Sequence, residues 1–259
     1  MTDKARFRSL LGAALARVRT QAKTDPLFVP NEEAAAFAAA DDGPMPELIV
    51  VGDNPGPEER KRKEYLSRLG SAGSDARSFF DIALGQSGAV GSKVLVWNKS
   101  TYHTPRTDDL SALMVSGDQA LIVRLREDQA ENGRLVARLA AASRVPVLTI
   151  GMESDEMTFA AFRSSLEAEA KRLGAKRAVF RGMETSAFPK APHFSTCKIF
   201  CHNTDADWNA RLDAYLKEWA AKHPRIRTKK GNVSLAALRK LPGPAPQEAY
   251  LRQVILGAV

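Results

Sequence analysis

Four short apolar runs recur along the chain: Leu48-Ile49-Val50-Val51, Val94-Leu95-Val96-Trp97, Val145 to Ile150, and Arg177-Ala178-Val179-Phe180. Runs this short, without alternation of apolar and polar residues, read as strands buried on both faces of a parallel sheet. Parallel neighbours need long crossovers, and the segments between the runs supply them. Phe7, Leu10, Leu11, Ala14, Leu15 and Val18 predict an amphipathic helix over 4–22, with Arg6, Arg8, Arg17 and Arg19 between the apolar positions. Further helices are expected at 32–40, 78–84, 109–125, 128–142, 159–173 and 207–221. The expected fold is a three-layer α/β/α sandwich around a central, mostly parallel four-stranded sheet. Residues 1–224 make this single domain. The stretch 225–259 opens on Arg225, Arg227, Lys229 and Lys230, and carries the stiff linker Leu241-Pro242-Gly243-Pro244-Ala245-Pro246. It is expected to dock on the domain as a basic extension.

A chain of 259 residues buries a core of its own, without disulfides or metals. The formal net charge of +8 and a pI of about 9.6 favour a polyanionic partner, with nucleic acid ahead of an anionic membrane surface. Two cysteines, Cys197 and Cys201, make no disulfide framework. No charged-then-apolar leader opens the chain, and no apolar run approaches the ~18 residues of a membrane span. A cytoplasmic protein with no membrane partner is expected.

The first strand closes on Gly52-Asp53-Asn54-Pro55-Gly56. Such a turn sets polar side chains at the carboxyl end of the sheet, where open α/β sheets bind ligands. Gly52 and Gly56 admit close backbone approach and Pro55 fixes the turn. An ordinary strand-to-helix turn has the same look, so the rest of the chain must decide.

Three segments, in order and each after a strand, resemble the uracil-DNA glycosylase superfamily. Gly52-Asp53-Asn54-Pro55-Gly56 resembles its first motif in the Gly-x-Asn-Pro-Gly form. Asn98, closing the second strand, resembles its base-reading Asn. His193-Phe194-Ser195 resembles its second motif, usually His-Pro-Ser. In addition, Tyr65 followed by Gly70-Ser71-Ala72-Gly73 resembles the aromatic segment of the iron–sulfur branches. The likeness spans about residues 47–220. Phe194 stands where Pro is usual, Thr196 to Phe200 do not match the usual wedge loop, and the four cluster cysteines are absent. The resemblance therefore implies a divergent, bacterial branch.

What it implies is an enzyme: a monofunctional glycosylase that hydrolyses the N-glycosidic bond of deoxyuridine in DNA. Such an enzyme flips the base out of the duplex, releases uracil and leaves an abasic site. Asn54 takes the water-positioning place. Asp53 supplies a carboxylate if the turn aims it inward, and otherwise caps the turn. His193 donates to uracil O2 as negative charge forms there, or holds the loop by a structural bond. Asn98 matches the uracil O4 and N3–H edge with one side chain, or bonds backbone at the strand end. Gly52, Asp53, Tyr65 and Asn98 form the uracil pocket, with Tyr65 stacked on the base. Arg60, Lys61, Arg62 and Lys63, together with Ser195 and Lys198, contact DNA; each charged run is equally the kind found on a solvated face. Phe194, Ile199 or Phe200 fills the vacated stack.

One signal is set aside. His193, Cys197, Cys201 and His202 invite a zinc reading, but their spacing fits no common pattern and would take His193 from its role. No metal and no cofactor are expected. His103, just past Asn98, borders the pocket as a phosphate or lining contact. A monomer is expected, since the chemistry needs no second subunit. The alternative from another class is a non-catalytic protein of the same fold that binds DNA, abasic sites or modified bases.

Overall fold

The computed structural model describes residues 2–39, 43–69, 73–74, 76–77, 80–81, 86–116, 118–150, 157–174 and 190–191. Helix α1 (Asp3–Thr24) begins where Thr2 Oγ1 accepts from the Ala5 amide at 3.2 Å and ends before Asp25-Pro26. It buries Phe7, Leu11, Leu15 and Val18. A single 3-10 turn (Glu32–Ala34) leads into the short α2 (Ala35–Ala38).

Strand β1 (Leu48–Gly52) pairs in parallel with β2 (Val94–Asn98) and, on its other side, with β3 (Val147–Ile150). Between β1 and β2 lies α3 (Pro57–Arg62). Helices α4 (Thr107–Ser116) and α5 (Gln119–Ser143) carry the chain from β2 to β3, and α6 (Ala160–Arg172) follows. The fold is thus mixed α/β around a parallel three-stranded sheet. A two-residue strand, β4 (Lys190–Ala191), lies parallel to β3, giving the order β2-β1-β3-β4. The expected fourth strand at 177–180 lies outside the described residues. So do the helix expected at 207–221, the boundary at 224 and the whole extension.

Every residue of β1 and β2 is buried, as a sheet covered on both faces requires. Ile49, Val51, Leu95, Trp97 and Val147 point to one face and share a core with Phe7, Leu11 and Leu15 of α1, Val136, Leu139 and Ala140 of α5, and Phe162 and Leu166 of α6. Helices α5 and α6 approach so closely at Gly133 that a Cβ there would collide with the carbonyl oxygen of Phe162.

The helix boundaries after β2 differ from the expectation. The first helix stops at Ser116 rather than 125, and one helix runs from 119 to 143 where two were expected. Asp118 caps it, accepting from the Ala120 and Leu121 amides at 2.8 and 3.2 Å. The apparent break near 126–128 arises because Asp128, Gln129 and Asn132 sit on the buried face. They interrupt the apolar pattern but not the helix. Among the described residues, no helix is long and apolar enough to cross a membrane.

Candidate active site

The chain runs from β1 to β2 on one side and returns to β3 on the other, so the strand order reverses between β1 and β3. In open α/β sheets that crevice, at the carboxyl ends, is where ligands bind. The Gly52–Gly56 turn opens directly onto it.

Asp53 is buried and forms an ion pair with Lys99, the residue that follows β2. The Lys99 ammonium also donates to the Ile150 carbonyl at 3.1 Å, the last residue of β3. It sits 4.9 Å from the ring centroid of Phe159. One side chain thus joins the ends of all three strands. Lys99 went unread in the sequence. Its only signal was position, one residue beyond Asn98 at a strand end.

Asn54 is held at both ends of its amide. Its Nδ2 donates to Thr104 Oγ1 at 2.8 Å, and its Oδ1 accepts from Thr107 Oγ1 at 3.2 Å. The turn is thereby clamped to the loop that leads into α4. His103 adds a second clamp, with Nδ1 at 2.7 Å from the Pro55 carbonyl oxygen.

Gly52 and Asn98 are register partners, so their side-chain positions share one face of the sheet. Asn98 folds over Gly52; a Cβ on Gly52 would meet Asn98 Oδ1 at 2.6 Å. The Asn98 side chain is 2% exposed, and its Nδ2 has no hydrogen-bond partner among the described residues. A buried amide donor without a partner costs free energy unless something supplies an acceptor. Asp53 and Lys99 come next in their strands, and Lys99 reaches Phe159, a member of the core on the opposite face. The carboxylate–ammonium pair and the free amide therefore flank the end of β1 from its two sides.

A rigid frame lies behind this edge. Asp128 of α5, fully buried, accepts from the Thr101 amide at 2.7 Å, Thr101 Oγ1 at 2.7 Å, Ser100 Oγ at 3.1 Å and Arg17 at 3.2 Å. Asn132 Oδ1 accepts from Arg17 at 2.7 Å and from the Trp97 indole at 3.2 Å. These bonds satisfy the polar groups of a buried loop, as the low dielectric there demands.

Tyr65 does not serve as expected. Its ring is fully buried, edge-to-face on Trp97 at 6.1 Å, and its hydroxyl donates to the Val29 carbonyl at 2.6 Å. Burial pushes its phenol well above the usual range. The Asn31 carboxamide and the buried Arg77 fix the surrounding backbone. A ring enclosed in this way is core and offers no face for a base. The stacking role came from the resemblance, and burial on this loop has no periodicity in the sequence to argue against it.

Arg60, Lys61, Arg62 and Lys63 are exposed at the end of α3, with Lys61 paired to Glu58 at 2.8 Å. Glu59 turns inward instead, accepting from the Gly56 amide at 2.6 Å and from the Leu66 amide. Burial pushes its carboxyl up, against the pull of those two amides. His193, Ser195 and Lys198 lie outside the described residues, as do Phe194, Ile199 and Phe200 and the Cys197, Cys201 and His202 array. Among the described residues, no group of three or more His, Cys, Asp or Glu side chains is placed to hold a metal ion.

Compared with known proteins, the chain matches no protein-family model and resembles no curated protein to a significant degree.

Proposed function

We propose that the chain is a DNA glycosylase that hydrolyses the N-glycosidic bond of deoxyuridine, on a three-layer α/β/α sandwich with a four-stranded sheet. The observation that carries this reading is the buried Nδ2 of Asn98 at the carboxyl edge, without a hydrogen-bond partner among the described residues. It is a donor aimed from a rigid strand end, and the O4 of a flipped uracil is an acceptor that would satisfy it. Its Oδ1 supplies the acceptor for N3–H, and cytosine, with the opposite pattern, is refused.

Bond cleavage builds positive charge on the sugar and negative charge on the leaving uracil. Asp53, fixed by Lys99, faces the developing cation with a carboxylate whose position is set before substrate arrives. Asn54, with both ends of its amide engaged, shapes the turn. The exposed cations Arg60 to Lys63 hold phosphates while the base leaves the stack. His193 is proposed as the donor to uracil O2.

The test is cleavage of a labelled duplex carrying one deoxyuridine, followed by alkali. The wild type breaks the strand at that position. Asn98→Ala and Asp53→Ala lose about 10²-fold or more in rate, the size expected for one charge-stabilising group. The enclosed Tyr65 ring favours a second reading, a non-catalytic binder of DNA or abasic sites. No strand breakage, with the DNA still retained in a gel, would select it.

A further inference from the structure

His103 sits on the loop after β2 and is 7% exposed. Its Nδ1 lies 2.7 Å from the Pro55 carbonyl oxygen. A carbonyl oxygen can only accept, so Nδ1 carries the hydrogen. In the neutral ring Nε2 is then left with a lone pair. That nitrogen has no hydrogen-bond partner among the described residues. The ring is therefore held in one tautomer and one orientation, with its basic atom free.

Nothing about this loop is loose. The His103 amide donates to the Leu27 carbonyl at 2.6 Å, and the Ser100 amide to the Asp53 carbonyl at 3.0 Å. Tyr102 packs edge-to-face on Phe28 with ring centroids 5.2 Å apart. Asp128 binds Ser100 and Thr101 from behind. The next residue, Thr104, receives the Asn54 amide.

The other groups at that turn leave one task unfilled. Hydrolysis needs an acceptor for the proton of the attacking water. Asn54 is an amide and no base, and Asp53 has one oxygen committed to Lys99. We infer that His103 is the general base of this site, a catalytic residue that takes the proton of the attacking water on Nε2. The inference rests on the glycosylase reading above. In the step, the water oxygen bonds to C1′ and the C1′–N1 bond breaks. Its electron pair leaves with uracil and the water proton passes to Nε2. The imidazolium then returns that proton to solvent or to the uracil anion, so no co-reactant is consumed.

The experiment measures single-turnover and steady-state excision from a deoxyuridine duplex for the full chain, wild type beside His103→Asn and His103→Ala. Asn keeps a donor near the Nδ1 position and with it the bond to Pro55, but removes Nε2. The expected result is a folded His103→Asn protein that retains KM within about threefold and loses about 10²-fold or more in kcat, the usual worth of a general base. Added imidazole is expected to restore part of the activity of His103→Ala. The inference is overturned if His103→Asn keeps kcat within about threefold. It is equally overturned if both variants lose activity and imidazole restores none, because the role is then structural. Wild type that excises no uracil at all removes the glycosylase reading itself, a failure visible before any variant is compared.

Discussion

At the scale of single residues, the carboxyl edge depends on one close contact, Gly52 against Asn98, and one buried ion pair, Asp53 with Lys99. Gly52 has no room for a Cβ because Asn98 Oδ1 lies where it would go. The obstruction is the end of a side chain, so Gly52→Ala is expected to fold, with Asn98 pushed aside. A displacement on the order of 1 Å costs about 10²-fold when it moves a positioning group. Uracil excision should fall by that much while the melting temperature stays near wild type; equal loss of both would place Gly52 in the core alone. The Asp53–Lys99 pair makes the opposite prediction. Both partners are more than nine-tenths buried. Lys99→Met leaves a buried carboxylate uncompensated and should cost about 3–5 kcal/mol in urea denaturation. Adding Asp53→Asn to it removes the uncompensated charge and should recover much of that loss. A double variant no more stable than the single would show that the pair does not act as a unit.

Among the elements, one carboxylate ties α5 to α6 beside their apolar contact. Glu169 of α6 accepts from Arg138 of α5 at 2.6 Å and from Arg172 at 2.7 Å twice over. The Arg172 bonds, with help from Arg138, hold its carboxyl down to about 2. A carboxyl with a depressed value stabilises the fold above its ordinary value of 4.5 and loses that contribution as pH falls toward 2. Glu169→Gln should therefore be less stable than wild type at pH 7, and the gap should close as pH drops through that window. Denaturation curves at pH 7, 4 and 3 check the sign; a constant gap would mean that packing, not charge, carries the effect. The same helix shows where patterning misleads. Leu125, Leu135, Val136 and Leu139 mark the apolar face of α5, yet Asp128, Gln129 and Asn132 lie on it too. They are buried because groups distant in sequence need partners there: Ser100, Thr101, Trp97 and Arg17 for Asp128 and Asn132, and the Thr158 carbonyl for Gln129. No local rule reports that need.

At the scale of the whole molecule, the basic excess makes a prediction about salt. With a net charge of +8, the proposed binding to DNA should weaken steeply with salt. Each phosphate contact contributes about 0.9 to the slope of log K against log salt. Changing Arg60, Lys61, Arg62 and Lys63 to Gln should reduce that slope by up to about 3.5, less whatever Glu58 already takes from Lys61. An unchanged slope would move the DNA surface away from α3.

The sequence by itself determined the mixed α/β arrangement around a parallel sheet and set the Gly52–Gly56 turn at the end of β1. The apolar runs at 48–51, 94–97 and 145–150 read as buried strands, and a polar turn after the first stands at its carboxyl end. Gly52, Asp53, Asn54 and Asn98 stood out for that reason: they sit one to three residues past an unbroken apolar run. What those residues touch was decided by tertiary structure alone. Tyr65 became core, Asn54 a clamp, Lys99 the partner of Asp53, and His103 a ring with one free nitrogen. Periodicity reports which face of an element is buried. It carries no information on which distant donor meets which acceptor, because that depends on loops whose course is fixed only when the core has closed around them.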